Sequence, residues 1–143
     1  MQDSVYFIRR IKMLQHKHLL LKGTIKQIPT KSNTIQIKVW MERFIKSNGM
    51  QLQSEPIVSY VHDKGNRGMT ACCLLKTSHM AFHIWDEQDP ALMQFDFYTC
   101  GEMNADEIFK KLNIKFHFLK YEYMILDREK NVDNWIVEKD FTT

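Results

Sequence analysis

Glycine and proline are scarce in this chain, at five and three of 143 residues. That scarcity excludes a collagen-like repeat or a Pro/Gly-rich disordered segment. No linker or shift in composition divides the chain, so one domain spanning 1–143 is expected. Cysteine is scarce too. Cys72, Cys73 and Cys100 make an odd count behind an N-terminus unlike a signal peptide, which argues against a disulfide framework and for a reducing, cytoplasmic setting. No apolar run approaches the roughly 20 residues a membrane span needs, so no membrane partner is expected. Nor is there an excess of one charge: 20 basic and 17 acidic residues leave a formal net charge of +3. The basic residues are scattered, and the densest group, Arg9, Arg10 and Lys12, reads as a solvated N-terminal segment. Nucleic acid is therefore not an expected partner.

What the chain does have is enough apolar matter for a core: 44% hydrophobic residues, with nine Phe and nine Met. The run His18–Ile28 reads as a strand, and Pro29–Asn33 as a loop. Ile37, Met41, Phe44 and Ile45 form a helical stripe over 34–48, closed by Gly49. Strands follow over 51–62 (with Pro56 at an end, edge or bulge), 69–76, 79–85 and 94–100. Asn104 caps a helix to about Leu112, with Asp106 and Glu107 in its first turn. A last strand covers 115–126, and the remaining residues read as a loose tail. Two helices cannot cover both faces of so wide a sheet. The expected fold is α+β, a two-layer sandwich with an antiparallel sheet and both helices on one face.

One strand is chemically crowded. In KTSHMAFHIWDE, residues 76–87, Met80, Phe82 and Ile84 share one face. The other face carries His79, Ala81, His83 and Trp85, with Ser78 at the strand's mouth and Glu87 beyond its end. His79 and His83 cannot share a metal, with Cys100 or without it, on this pattern, because i and i+4 on a strand lie roughly 13 Å apart. Cys72 and Cys73 point to opposite faces. No metal is expected. A hydrolase triad of Ser78 or Cys100 with His83 and Asp96 lacks a G-x-S-x-G elbow. On residue types alone, the two histidines and Cys100 read as structural.

A resemblance changes that balance. Ser78-His79-Met-Ala-Phe-His83-Ile-Trp85-Asp-Glu87, followed by Phe95-Asp96-Phe97-Tyr98-Thr99-Cys100-Gly101, resembles the signature of the bacterial-type S-adenosylmethionine decarboxylases. His62 with Gly68-Met-Thr70, and Lys17-His18-Leu-Leu, resemble further segments of that family. The likeness covers about residues 17–112 and is dense over 62–101. It implies a self-processing proenzyme that cuts before Ser78 into 1–77 (β chain) and 78–143 (α chain), turning Ser78 into a pyruvoyl group. That group serves in place of pyridoxal phosphate, as the electron sink in a Schiff base with S-adenosylmethionine, and the product donates aminopropyl groups for spermidine synthesis. By the same resemblance, His83 takes the proton during processing, and Thr70 supports the acyl shift. Cys100 is the proton donor in catalysis, Glu87 binds the ribose hydroxyls, and the active form is a homodimer of cleaved protomers. His79 is left structural.

The chain departs from the family pattern at several points. Thr77 replaces a Glu before the scissile bond, and Lys22 replaces an acid. Asp86 replaces a Pro, in a turn (Asp86–Met93) about two residues longer. Lys64 stands where an aromatic stacks on adenine, with Tyr60 or Phe7 as substitutes. These departures motivate two alternatives, a pyruvoyl-dependent decarboxylase of ornithine or arginine and an unprocessed non-catalytic homologue; an independent serine or cysteine hydrolase is a third.

Overall fold

The computed structural model describes residues 15–141; Phe7, Arg9, Arg10 and Lys12 lie outside them. Seven strands and two helices follow one another as β1 (Lys17–Ile25), α1 (Thr34–Ser47), β2 (Ile57–Val61), β3 (Gly68–Leu75), β4 (Ser78–Trp85), β5 (Ala91–Thr99), α2 (Ala105–Phe116), β6 (Phe118–Asp127) and β7 (Ile136–Phe141). The strands form one sheet in the order β2-β3-β4-β5-β1-β6-β7. Every neighbouring pair is antiparallel.

Strict alternation builds the core. Leu19 and Leu21 of β1, Met80, Phe82 and Ile84 of β4, and Met93, Phe95 and Phe97 of β5 are buried on one face. Both helices press their apolar stripes onto it. Phe44 of α1 meets Phe95 and Phe97 edge-on, and Trp40 bridges Phe82 and Phe116. In α2, Ile108, Leu112 and Phe116 are buried, and Phe109 packs on Tyr121 and Tyr123 of β6. The expected two-layer α+β sandwich is what forms. The second sheet face carries no further layer among the described residues.

The element bounds differ from the sequence expectations in several places: β1 ends at Ile25 rather than Ile28, β5 starts at Ala91, inside the turn expected over 86–93, and β6 starts at Phe118 rather than at 115. Helix α2 continues to Phe116, because Ile108, Leu112 and Phe116 extend one stripe at i, i+4. His117 then ends it with a left-handed backbone (φ +50). Residues 51–56 contribute only an isolated bridge from Leu52 to Leu75, and β2 starts after Pro56. The supposed loose tail is β7, paired along the edge of β6. Its turn is held by the Asp127 amide donating to the Trp135 carbonyl and the Trp135 indole N–H donating to the Lys130 carbonyl.

Candidate active site

Antiparallel pairing decides what meets at the head of β4. Strand β5 runs against both β1 and β4, so its last residues lie beside the first residues of both. Cys100, one step beyond β5, therefore reaches the Thr77–Ser78 peptide bond, 23 positions away in sequence. Its thiol donates to the Thr77 carbonyl at 2.9 Å. Thr77 itself is held with φ +65. For a β-branched residue that left-handed conformation is an outlier costing about 1–3 kcal/mol. Ser78 opens β4 on the core-facing side and is 9% exposed. A strained residue, a hydrogen-bonded carbonyl and a sheltered hydroxyl thus share one peptide link.

The same strand end gathers two residues that sequence reasoning did not single out. His16, just before β1, places Nδ1 at 2.9 Å from the Tyr98 hydroxyl and 3.9 Å from Cys100 Sγ. Its Nε2 lies 3.7 Å from Glu129 Oε1. Nothing in the sequence around His16 marks it, because its neighbours come from the ends of β5 and β6.

Thr70 and His83 meet at the far end of β4. The register pairs them across β3 and β4, and Thr70 Oγ1 lies 3.1 Å from His83 Nδ1. His83 is exposed on the open face, whereas Ser78 has the parity of the core face. Five residues of strand separate the two by about 16 Å. Within one chain, then, Ser78, Thr77 and Cys100 come together while Thr70 and His83 stand apart from them.

Glu87 lies beyond the end of β4, where both its oxygens accept from the Gly65 amide at 2.8 and 2.9 Å. Beside it Asp86 accepts from the Tyr60 hydroxyl (2.5 Å) and from Arg67 Nε (2.7 Å). Burial would raise the Asp86 carboxyl, but these two donors outweigh it and hold the group below the usual carboxylate range. Gly68 is obligatory at this rim. With φ +146, a Cβ there would sit 1.8 Å from the Ile84 carbonyl oxygen.

Three residues on the open face form a further cluster. His18 of β1 and His79 of β4 both direct Nε2 at Asp96 Oδ1 of β5, the His79 contact at 3.3 Å. One ligand atom from each lies within 4.8 Å of the others, so this set could hold a metal ion. As it stands, the two imidazoles share a carboxylate oxygen. Burial acts to raise Asp96, and the hydrogen bonds from His18 and His79 reverse this, leaving its carboxyl depressed. His79 and His83, which share one strand, belong to separate clusters. The signal missed in the sequence was that His18 and Asp96 stand on the same face as His79 of adjoining strands.

Known proteins resemble this chain in sequence and in fold. The S-adenosylmethionine decarboxylase family profile matches residues 27–129, well over half of the chain. A protein of Archaeoglobus fulgidus described as an S-adenosylmethionine decarboxylase proenzyme is 34% identical over 62 residues, which is 43% of this chain and 54% of that one. The chain thus spans about half the length of the curated relative it matches. Among solved structures, the Trypanosoma brucei AdoMetDC-delta26 monomer superposes with a TM-score of 0.54 at 7% identity, over 77% of this chain and 45% of that one; it supports the α+β fold alone. With the family profile covering the strained Thr77–Ser78 link, the Cys100 thiol and the Thr70–His83 pair, this chain belongs to the S-adenosylmethionine decarboxylase family.

Proposed function

We propose that the chain is a pyruvoyl-dependent decarboxylase that cleaves itself between Thr77 and Ser78 and acts on S-adenosylmethionine, supplying an aminopropyl donor for polyamine synthesis. The observation that carries this reading is the Cys100 thiol hydrogen-bonded to the carbonyl before Ser78. The residues present suit a pyruvoyl group: Ser78 is the only residue whose alcohol directly follows the strained φ +65 position, and it is shielded from water. In the cut, Ser78 Oγ attacks the Thr77 carbonyl carbon, and the C–N bond gives way to an ester. Loss of the Ser78 α-proton expels the Thr77 carboxylate. Hydrolysis of the resulting enamine releases ammonia and leaves the ketone at residue 78. Relief of the Thr77 backbone strain favours the first step.

Once formed, the pyruvoyl carbonyl would supply an electron sink for the departing carboxylate. The chain's own residues do the rest. Cys100 holds the proton that replaces CO2. Glu87, fixed at the rim by the Gly65 amide, offers two acceptor oxygens to vicinal hydroxyls of a ribose. Thr70 and His83 cannot serve their own Ser78 from about 16 Å away. We place them instead in the site of a second copy, which makes the active unit a homodimer joined through the open sheet face. Exposed apolar side chains support this face as an interface: Leu74 is 59% exposed and Ile57 69%. No described helix is long and apolar enough to cross a membrane. The free thiols Cys72, Cys73 and Cys100 suit a cytosolic setting.

Intact-mass measurement tests the reading. Two fragments meeting before residue 78 are expected, with Ser78→Ala remaining whole at 17.1 kDa. A single uncut species with full activity would remove it. A second reading, decarboxylation of ornithine or arginine, is favoured by Lys64 on the rim loop where an adenine would stack. Measuring CO2 release from those amino acids beside S-adenosylmethionine separates the two.

A further inference from the structure

We propose that His16 is a positioning residue for Cys100, forming with Glu129 a relay that returns a proton to the thiol after each turnover. This inference rests on the function proposed above, in which Cys100 gives up a proton. Replacing a carboxylate by hydrogen consumes one proton per CO2 released. As the new C–H bond forms, the Cys100 S–H bond breaks and a thiolate remains. A second turnover requires that S–H bond to be rebuilt, and the titratable side chains beside the sulfur include His16 and Tyr98, of which the Tyr98 phenol is raised and so a poor source of the proton.

The geometry is built for this. Three strand ends converge on the imidazole: the start of β1, the end of β5 and the end of β6. The Arg128 amide donates to the His16 carbonyl at 2.8 Å, which fixes the backbone. Nδ1 faces Cys100 Sγ at 3.9 Å and the Tyr98 hydroxyl at 2.9 Å. Nε2 faces Glu129 at 3.7 Å. In the uncut chain the thiol donates to the Thr77 carbonyl. On the β1 side of the sulfur, Nδ1 lies within reach at 3.9 Å. A nucleophile or acid, an imidazole, and a carboxylate on the far ring nitrogen form the orienting arrangement familiar from catalytic triads.

In the transfer, the His16 Nδ1–H bond breaks as S–H forms. The neutral ring then recovers a proton from water, and Glu129 stabilises the charged ring. The side chains of His16 and Glu129 are 34% and 42% exposed, so that exchange has a route to solvent. The other groups facing the pair are Tyr98, the Arg128 guanidinium lying 4.5 Å over the Tyr98 ring, and the Lys17–Asp127 ion pair on the adjoining rung. Burial raises the Tyr98 phenol and charge on Cys100 adds to this, so Tyr98 stays a neutral hydroxyl while the proton passes beside it.

Site-resolved alkylation of the full chain with iodoacetamide tests the relay, with exposed Cys72 as internal reference. At pH 7 the His16→Gln variant should react about fivefold or more slowly at Cys100, because the imidazole that exchanges a proton with the sulfur is gone. Cys72 should be unchanged. Glu129→Gln should shift Cys100 reactivity in the same direction by less, and added imidazole should restore part of the rate to His16→Ala. In turnover, His16→Gln should lower kcat with little change in KM. Equal Cys100 rates in parent and His16→Gln would overturn the proposal, and should His16→Gln not fold, the same comparison with Glu129→Gln decides. Alkylation requires neither cleavage nor substrate. An uncut, inactive protein that keeps the His16 effect would therefore sink the enzymology and spare the relay, whereas normal turnover without the effect would sink the relay alone.

Discussion

The two ends of β4 are built on opposite principles. At its head, Thr77 sits in a left-handed conformation and its carbonyl depends on a thiol for its hydrogen bond. At its tail the chain is clamped: Asp86 gathers Tyr60 and Arg67, Glu87 takes the Gly65 amide, and Gly68 lets the backbone pass against Ile84. On the proposed function, strain is stored where a covalent bond is to break, and rigidity is placed where a ligand is to be held. The strand between them is stiff, with Met80, Phe82 and Ile84 locked into the core. The two ends of one chain therefore cannot approach each other, which is why the proposed function draws on a second copy.

The largest effect should come from removing the alcohol at the head. Ser78→Ala should abolish both cleavage and decarboxylation, read by intact mass and CO2 release; activity in that variant would break the contrast at once. Mixing sharpens it. Neither Ser78→Ala nor His83→Ala alone should mature normally, but co-expressed they should form heterodimers in which only the His83→Ala chain is cut. Failure of complementation, or cutting of His83→Ala by itself at the parental rate, would show that His83 is not supplied across an interface.

At the tail, Gly68→Ala should destabilise the fold by several kcal/mol, about 2 or more, since the added Cβ overlaps a backbone carbonyl and the φ is unfavourable. Denaturant midpoints check this. Arg67→Met, which breaks only the clamp on Asp86, should be milder: KM raised about threefold to tenfold, kcat little changed, consistent with loss of roughly 1 kcal/mol of positioning. A fall in kcat at constant KM would instead tie the clamp to chemistry.

The smallest effect concerns Asp96. Its carboxyl is depressed in the folded chain by His18 and His79, so the stability it contributes is present above the ordinary carboxylate value and fades as pH falls through the lower, folded one. Melting temperature followed below about pH 4 should decline less steeply in Asp96→Asn than in the parent. Parallel curves would show that the two imidazoles do not stabilise the carboxylate.

Much of the fold was legible because alternation and helical stripes are local. Met80-Phe82-Ile84 and Ile37-Met41-Phe44-Ile45 each announce a buried face without help from the rest of the chain. Strand β7 was not legible: Ile136–Phe141 has little reason to be extended until β6 offers it an edge. The boundary at Phe116 was hidden because residues 113–116 suit either a strand start or a fourth helical turn, and the contact with Trp40 decides. In the site, Ser78, Cys100 and Glu87 stood out through the family resemblance of the motifs that hold them. His16 and the His18–Asp96–His79 cluster did not, since their meaning lies in strand order and register.

The central claim is a ketone at residue 78, and phenylhydrazine labelling of the purified protein followed by fragment mass analysis tests it most directly. The account predicts one hydrazone on the fragment that begins at residue 78 and none on residues 1–77. An unlabelled protein that nonetheless releases CO2 from S-adenosylmethionine would contradict it.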